Sequence, residues 1–114
     1  SFDRQEFSLP FGDIVSLETD GNYIAITDKS GRSYRTRMTF SSAMERLDSR
    51  FLTLIKGVAV NMDRVAQIMD GQCRMQSGAL FPLQVKRQAE LREQWLNYKF
   101  AKIRESSAGM EEMP

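Results

Sequence analysis

The run from Phe51 to Val65, Phe-Leu-Thr-Leu-Ile-Lys-Gly-Val-Ala-Val-Asn-Met-Asp-Arg-Val, constrains the fold more than any other stretch. It is apolar and β-prone, with Lys56 set in its middle. A buried strand normally excludes Lys, because an unpaired charge is costly to desolvate. Lys56 beside Gly57 therefore predicts a bend whose charged head reaches solvent or an anionic partner. Asn61-Met62-Asp63 predicts a tight turn, since Asn and Asp side chains bond the local backbone. Val65 then opens a further apolar run.

The flanking sequence repeats this grammar of short strands and turns. Phe7, Leu9 and Phe11 alternate, with Pro10 placing that strand at an edge or a strand end. Ile14–Glu18, Tyr23–Thr27 and Ser33–Met38 read as three strands, separated by Asp20-Gly21-Asn22 and Asp28-Lys29-Ser30-Gly31. Ser42 and Glu45 suggest a capping box for a short helix over 42–48, packed through Phe40, Met44, Leu47 and Phe51. Strands follow near 51–56, 58–60, 65–69, 72–76 and 80–84, and Asp70-Gly71 makes a good hairpin turn. From Lys86 to Glu105 the period is helical. Leu91, Trp95, Leu96, Phe100 and Ile103 form one apolar stripe, expected to pack on the domain itself. Ser106-Ser107-Ala108-Gly109 is expected to end that helix, leaving 106–114 as a flexible acidic tail. The class this predicts is mostly β, with one short helix and a C-terminal helix, in one domain over 1–105.

Composition narrows the chemistry. With no histidine, the chain lacks His-based acid–base catalysis, the Ser-His-Asp triad and the commonest zinc sites. Its carboxylates are scattered among turns, and no phosphate-cradling Gly loop is present. An enzyme is not expected, nor a cofactor or a metal. The lone Cys73 excludes an internal disulfide and suits a reducing compartment; a buried strand position explains it better than redox sensing. No apolar run is long enough to span a membrane and no signal-peptide pattern opens the chain, so a cytoplasmic location is expected. Net charge is +1, but the residues up to Arg104 carry a surplus of four cations.

Several of those cations are candidates for phosphate. Arg35 and Arg37 share one strand face, which either a DNA backbone or plain solvation explains. Lys86 and Arg87 sit where a strand gives way to a helix, whose free N–H groups already favour anions. Lys56 has two readings: a Lys snorkelling at a strand edge, or a loop cation entering a DNA groove.

Taken in order, these pieces resemble the LytTR family of DNA-binding domains. Ile14-Val15-Ser16-Leu17-Glu18 and Gly21-Asn22-Tyr23-Ile24 look like its opening hairpin. Arg35-Thr36-Arg37-Met38-Thr39-Phe40 resembles the next strand and helix entry, and Leu47-Asp48 with Arg50-Phe51-Leu52 the helix exit. Val60-Asn61-Met62-Asp63-Arg64-Val65 is similar to the most characteristic motif, and Gly78 with Phe81-Pro82-Leu83 to the closing strand. The resemblance implies an elongated stack of small antiparallel sheets that binds double-stranded DNA through loops in successive major grooves. It implies a response-regulator output domain acting as a homodimer on paired sites, under an upstream receiver domain. The groove-facing positions it implies are Asn22 or its neighbour, Lys56, and the Gln84-Val85-Lys86 segment.

Two departures qualify the resemblance. Many members have His followed by Arg or Asn, then Ser, where this chain has Ile55-Lys56-Gly57, and Ser-Arg where it has Gln84-Val85. Lys is a point charge and Arg a bidentate fork, so the sequence preference should differ. The alternative is a protein-interaction module that has lost specific DNA readout, with the terminal helix as its working surface.

Overall fold

In a computed structural model, residues 2–3 and 8–111 are described, with side chains from Leu9 to Glu105. Twelve elements follow in order: strands β1 (Phe2–Asp3), β2 (Ser8–Leu9), β3 (Ile14–Asp20), β4 (Tyr23–Asp28) and β5 (Ser33–Arg37); helix α1 (Phe40–Arg46); strands β6 (Phe51–Ile55), β7 (Val58–Asn61), β8 (Val65–Met69), β9 (Gln72–Met75) and β10 (Leu80–Pro82); and helix α2 (Gln88–Glu111). Short 3-10 turns at Phe11–Asp13, Met62–Arg64 and Val85–Arg87 join them. All pairing is antiparallel. A five-stranded sheet runs in the order β5-β4-β3-β7-β6, and a three-stranded sheet in the order β10-β9-β8. A small β1–β2 pair completes the set, and the whole is elongated at 53 × 36 × 24 Å.

The five-stranded sheet is covered on both faces. Ile14, Leu17, Ile24, Ile26 and Phe51 pack on one face with Ala43 of α1. Val15, Leu52, Leu54 and Val60 pack on the other, against Val65, Ile68, Cys73 and Met75 of the second sheet and Leu91 and Trp95 of α2. Double coverage explains why four successive residues of β3, Ile14 to Leu17, are buried. Strands with both faces covered lose the inside–outside alternation. Glu18, Thr19 and Asp20 then emerge from the core, so β3 delivers one end of the sheet to solvent.

The organising run folds as its composition dictates. β6 and β7 flank a two-residue bend at Lys56-Gly57, with Ile55 opposite Val58. Asn61 is fully buried, and its side chain accepts a 2.9 Å bond from the Asp63 N–H. Its amide also donates to the Ile14 carbonyl at 2.9 Å. The Arg64 guanidinium donates twice to the Gly12 carbonyl, at 3.0 and 2.8 Å. The Val60–Val65 motif is thus a clasp holding the end of β7 to the 3-10 turn before β3. At Asp70-Gly71 both residues have positive φ, 56° and 74°, the geometry of a type I′ hairpin.

Several boundaries differ from the sequence reading; the closing strand, expected near 80–84, ends at Pro82. The strand expected around Phe7, Leu9 and Phe11 is β2, Ser8–Leu9, and Phe11 sits in the following turn; Phe7 lies outside the described residues. Helix α1 starts at Phe40 because Thr39, not Ser42, is its cap: the Thr39 hydroxyl accepts from the Ser42 N–H at 3.1 Å. α2 starts at Gln88 and runs through Ser106–Gly109 to Glu111. Helix propensity is a weak prior, and one Gly costs only about 1 kcal/mol.

The apolar stripe of α2 also divides in two. Leu91 and Trp95 are buried and Tyr98 is half-buried, so spacings of four and three mark the docked face. Leu96, one residue round from Trp95, is half-buried and also packs against the core, whereas Phe100 and Ile103 lie beyond the domain, 60% and 56% exposed.

Candidate nucleic-acid interface

Three chain segments meet at the exposed end of the five-stranded sheet. β3 and β4 turn through Gly21-Asn22, with Asp20 opposite Tyr23. β6 and β7 turn through Lys56-Gly57, and β7 is the neighbour of β3, so both turns face the same way. The Thr19 N–H donates to the Gly57 carbonyl at 2.8 Å, tying one hairpin to the other. β5 ends beside them, with Arg37 opposite Tyr23.

Between these segments lies an open depression of about 660 Å³, lined by Thr19, Gly21, Asn22, Arg37, Met38, Thr39, Phe40, Ser41, Lys56 and Gly57. Its floor is largely apolar and its rim carries Asn22, Arg37 and Lys56, all exposed. Among the described residues, neither Arg37 nor Lys56 has an ion-pair partner. Arg35 does: it pairs with Asp20 at 3.1 Å and lies 4.4 Å from the centre of the Tyr23 ring. Arg35 and Arg37 therefore share a strand face and differ in availability.

A second group sits apart from the depression. The Gln84–Arg87 segment is pinned to the β8–β9 turn, where the Leu83 N–H donates to the Gly71 carbonyl at 3.2 Å and the Gly71 N–H donates to the Gln88 side chain. A Cβ on Gly71 would stand 3.6 Å from a Val85 methyl, so the segment rests directly on the turn. Gln84 and Lys86 are exposed, and Val85 is 77% exposed. Arg87 pairs with Glu90 at 3.3 Å, so its charge is partly answered at the helix start. Lys86 has no such partner among the described residues.

The seven sequence candidates thus divide into Asn22, Arg37 and Lys56 around one depression, Arg35 at its side, and Gln84, Lys86 and Arg87 in the segment between the three-stranded sheet and α2. Thr19, Thr39 and Ser41 also line the depression and were not anticipated. Thr39 directly before a helical run is a legible cap pattern. The approach of Thr19 to Gly57 comes from strand order and has no local mark.

The family model of the LytTr DNA-binding domain matches residues 4–96. The chain belongs to that family. No protein among those with curated functions matches it. Among solved structures it is similar to the LytTr DNA-binding domain of a methyl-accepting/DNA response regulator from Bacillus cereus. That similarity has a TM-score of 0.65 at 14% identity, over 75% of this chain and 84% of the other. At such identity it speaks for the fold alone. Among the described residues of this LytTr domain, no helix is long and apolar enough to cross a membrane. Burial pushes the Cys73 thiol up to about 11, so it is a poor nucleophile.

Proposed function

We propose that this LytTr domain reads double-stranded DNA by sequence, placing loops in successive major grooves. It acts in the cytoplasm as the output domain of a two-component transcription regulator whose upstream receiver brings two copies to paired sites. The observation that carries this reading is the convergence of Asn22, Arg37 and Lys56 on one sheet end, with neither cation ion-paired among the described residues. A rigid pair of two-residue hairpins can present them to a groove without ordering a flexible loop first, which lowers the entropic cost of binding.

The residues divide by chemistry. Arg37, Lys56 and Lys86 supply phosphate attraction, each displacing about one counterion. Asn22 and Gln84 can bond an adenine edge bidentately, and Lys56 and Lys86 can donate to guanine acceptors. Arg35 and Arg87 would exchange Asp20 and Glu90 for phosphate, so their net contributions are smaller.

A selection from random-sequence duplexes at moderate salt, followed by sequencing, tests the proposal. An enriched motif recurring in phase with the DNA helix is the expected result. Lys56→Ala should then weaken binding to the selected site by about 1–3 kcal/mol. Uniform, salt-sensitive retention with no motif, or a Lys56→Ala variant that binds every duplex as before, would sink it. The exposure of Val85 within the second contact segment favours one other reading, a partner-binding module without base readout, and that outcome would support it.

A further inference from the structure

We propose that the depression at the end of the five-stranded sheet binds a small carboxylate with an apolar, ring-bearing body, and that its occupation displaces DNA. The site stands on the geometry of the depression; only its effect on DNA rests on the groove-reading proposal.

The depression encloses about 660 Å³. Small-ligand sites run from roughly 300 to 1,000 Å³ and combine an apolar lining with a few polar groups. Met38 and Phe40 give the floor its apolar character. Both pack against the core shared with α1, and both are only half-buried, so each keeps apolar surface open. Covering that surface with a ring releases the water above it. The walls hold their shape by themselves. The Thr19 N–H ties the two hairpins together through the Gly57 carbonyl at 2.8 Å, and the Thr39 hydroxyl fixes the start of α1 by accepting from the Ser42 N–H. A preformed hollow has little ordering cost to set against binding.

Charge selects the head group. Arg37 and Lys56 stand on the rim, no carboxylate stands among the described lining residues, and neither cation has an ion pair among the described residues. Asn22 adds a side-chain amide to the same rim. A carboxylate there meets two cations and a donor while its apolar body covers the floor. A bare anion would answer the rim and leave the floor wet. Duplex DNA does the same: loops that enter a groove project into it, and the hollow between them meets mainly sugars and phosphates. An apolar carboxylate answers both rim and floor. Its head group takes Arg37 and Lys56 from DNA, and such coupling is reciprocal.

Naphthoate is a suitable probe, titrated into the isotope-labelled full chain without DNA and followed by amide chemical shifts. The signals of Thr19, Gly21, Thr39 and Gly57 should move together and saturate, while those of Gly71 and Leu83 stay in place. Acetate should give no saturable shift, and neutral naphthylmethanol should bind about fivefold more weakly than naphthoate. Lys56→Ala should reduce naphthoate binding to the level of the alcohol; Arg37→Ala serves as the second variant if the first fails to fold. The site is overturned if naphthoate gives no saturable shift, if acetate moves the same signals equally well, or if acid and alcohol bind alike. Displacement is then measured on the duplex enriched by selection. Saturating naphthoate should lower duplex affinity by the factor by which the duplex lowers naphthoate affinity. Unchanged duplex affinity overturns displacement. Saturable naphthoate binding by a chain that retains no duplex would count against the reading of DNA and leave the carboxylate site established.

Discussion

At the residue scale, Asp28 shows how one carboxylate can organise a turn. Burial opposes its ionisation, but four hydrogen bonds outweigh that and hold its carboxyl at about 2. The donors are the Ser30 hydroxyl at 2.7 Å, the Tyr34 hydroxyl at 2.9 Å, and the N–H groups of Ser30 and Arg32 at 2.9 and 3.0 Å. The folded value lies below the unfolded one, so the stabilisation is full above about pH 4 and is lost as pH falls through about 2. Asp28→Asn should cost about 2 kcal/mol at pH 7 and almost nothing near pH 2, measured by urea unfolding at both. A cost that is equal at the two pH values would show that ionisation of Asp28 plays no part. The turn at 28–31 was legible in the sequence because Asp and Gly are turn formers. The Tyr34 bond was not, because it joins a turn to the strand beyond it. Asn61 divides in the same way. Its bond to Asp63 is local and legible, whereas its bond to Ile14, 47 residues away, exists only once β7 lies beside β3.

At the scale of elements, the β6–β7 hairpin positions Lys56 and depends on Gly57. Gly57 has φ of 81°, a conformation that L side chains rarely adopt. A Cβ there would also stand 2.7 Å from the Thr19 hydroxyl. Gly57→Ala should therefore destabilise the domain by about 1–3 kcal/mol, from backbone strain and the pressure on β3 together. It should also weaken DNA binding more than the lost stability explains, because the turn carrying Lys56 must shift. Thermal melting checks the first effect and binding at a temperature where the variant is fully folded checks the second. Wild-type values in both would remove Gly57 from the account. Sequence reasoning placed this bend because a Lys between apolar runs has nowhere to go but out. It also placed β8 and β9, where Asp-Gly dictates the turn. It carried the docked stripe of α2 too far, because a list of apolar spacings does not say where the domain ends beneath the helix: Leu91, Trp95 and Leu96 pack on the core, whereas Phe100 and Ile103 are exposed.

At the scale of the whole molecule, the two contact groups stand on different sheets, Lys56 on the five-stranded one and Lys86 just beyond the three-stranded one. No hydrogen bond or ion pair among the described residues links them. Sites without shared partners contribute to binding almost independently, to within about 0.5 kcal/mol. On a duplex long enough to meet both groups, the loss from Lys56→Ala/Lys86→Ala should equal the sum of the single losses. The salt dependence should weaken stepwise, the slope of log K against log salt falling by about one for each cation removed. Shortening the duplex until only one group is reached should abolish the effect of one substitution and spare the other. Each group then reads its own stretch of DNA, and the spacing between them is set by the packing of one sheet on the other through Val15, Leu54, Ile68 and Met75. Strong non-additivity on the long duplex would mean instead that Lys56 and Lys86 grip one shared feature, and that the elongated arrangement of sheets does not set the length of the site.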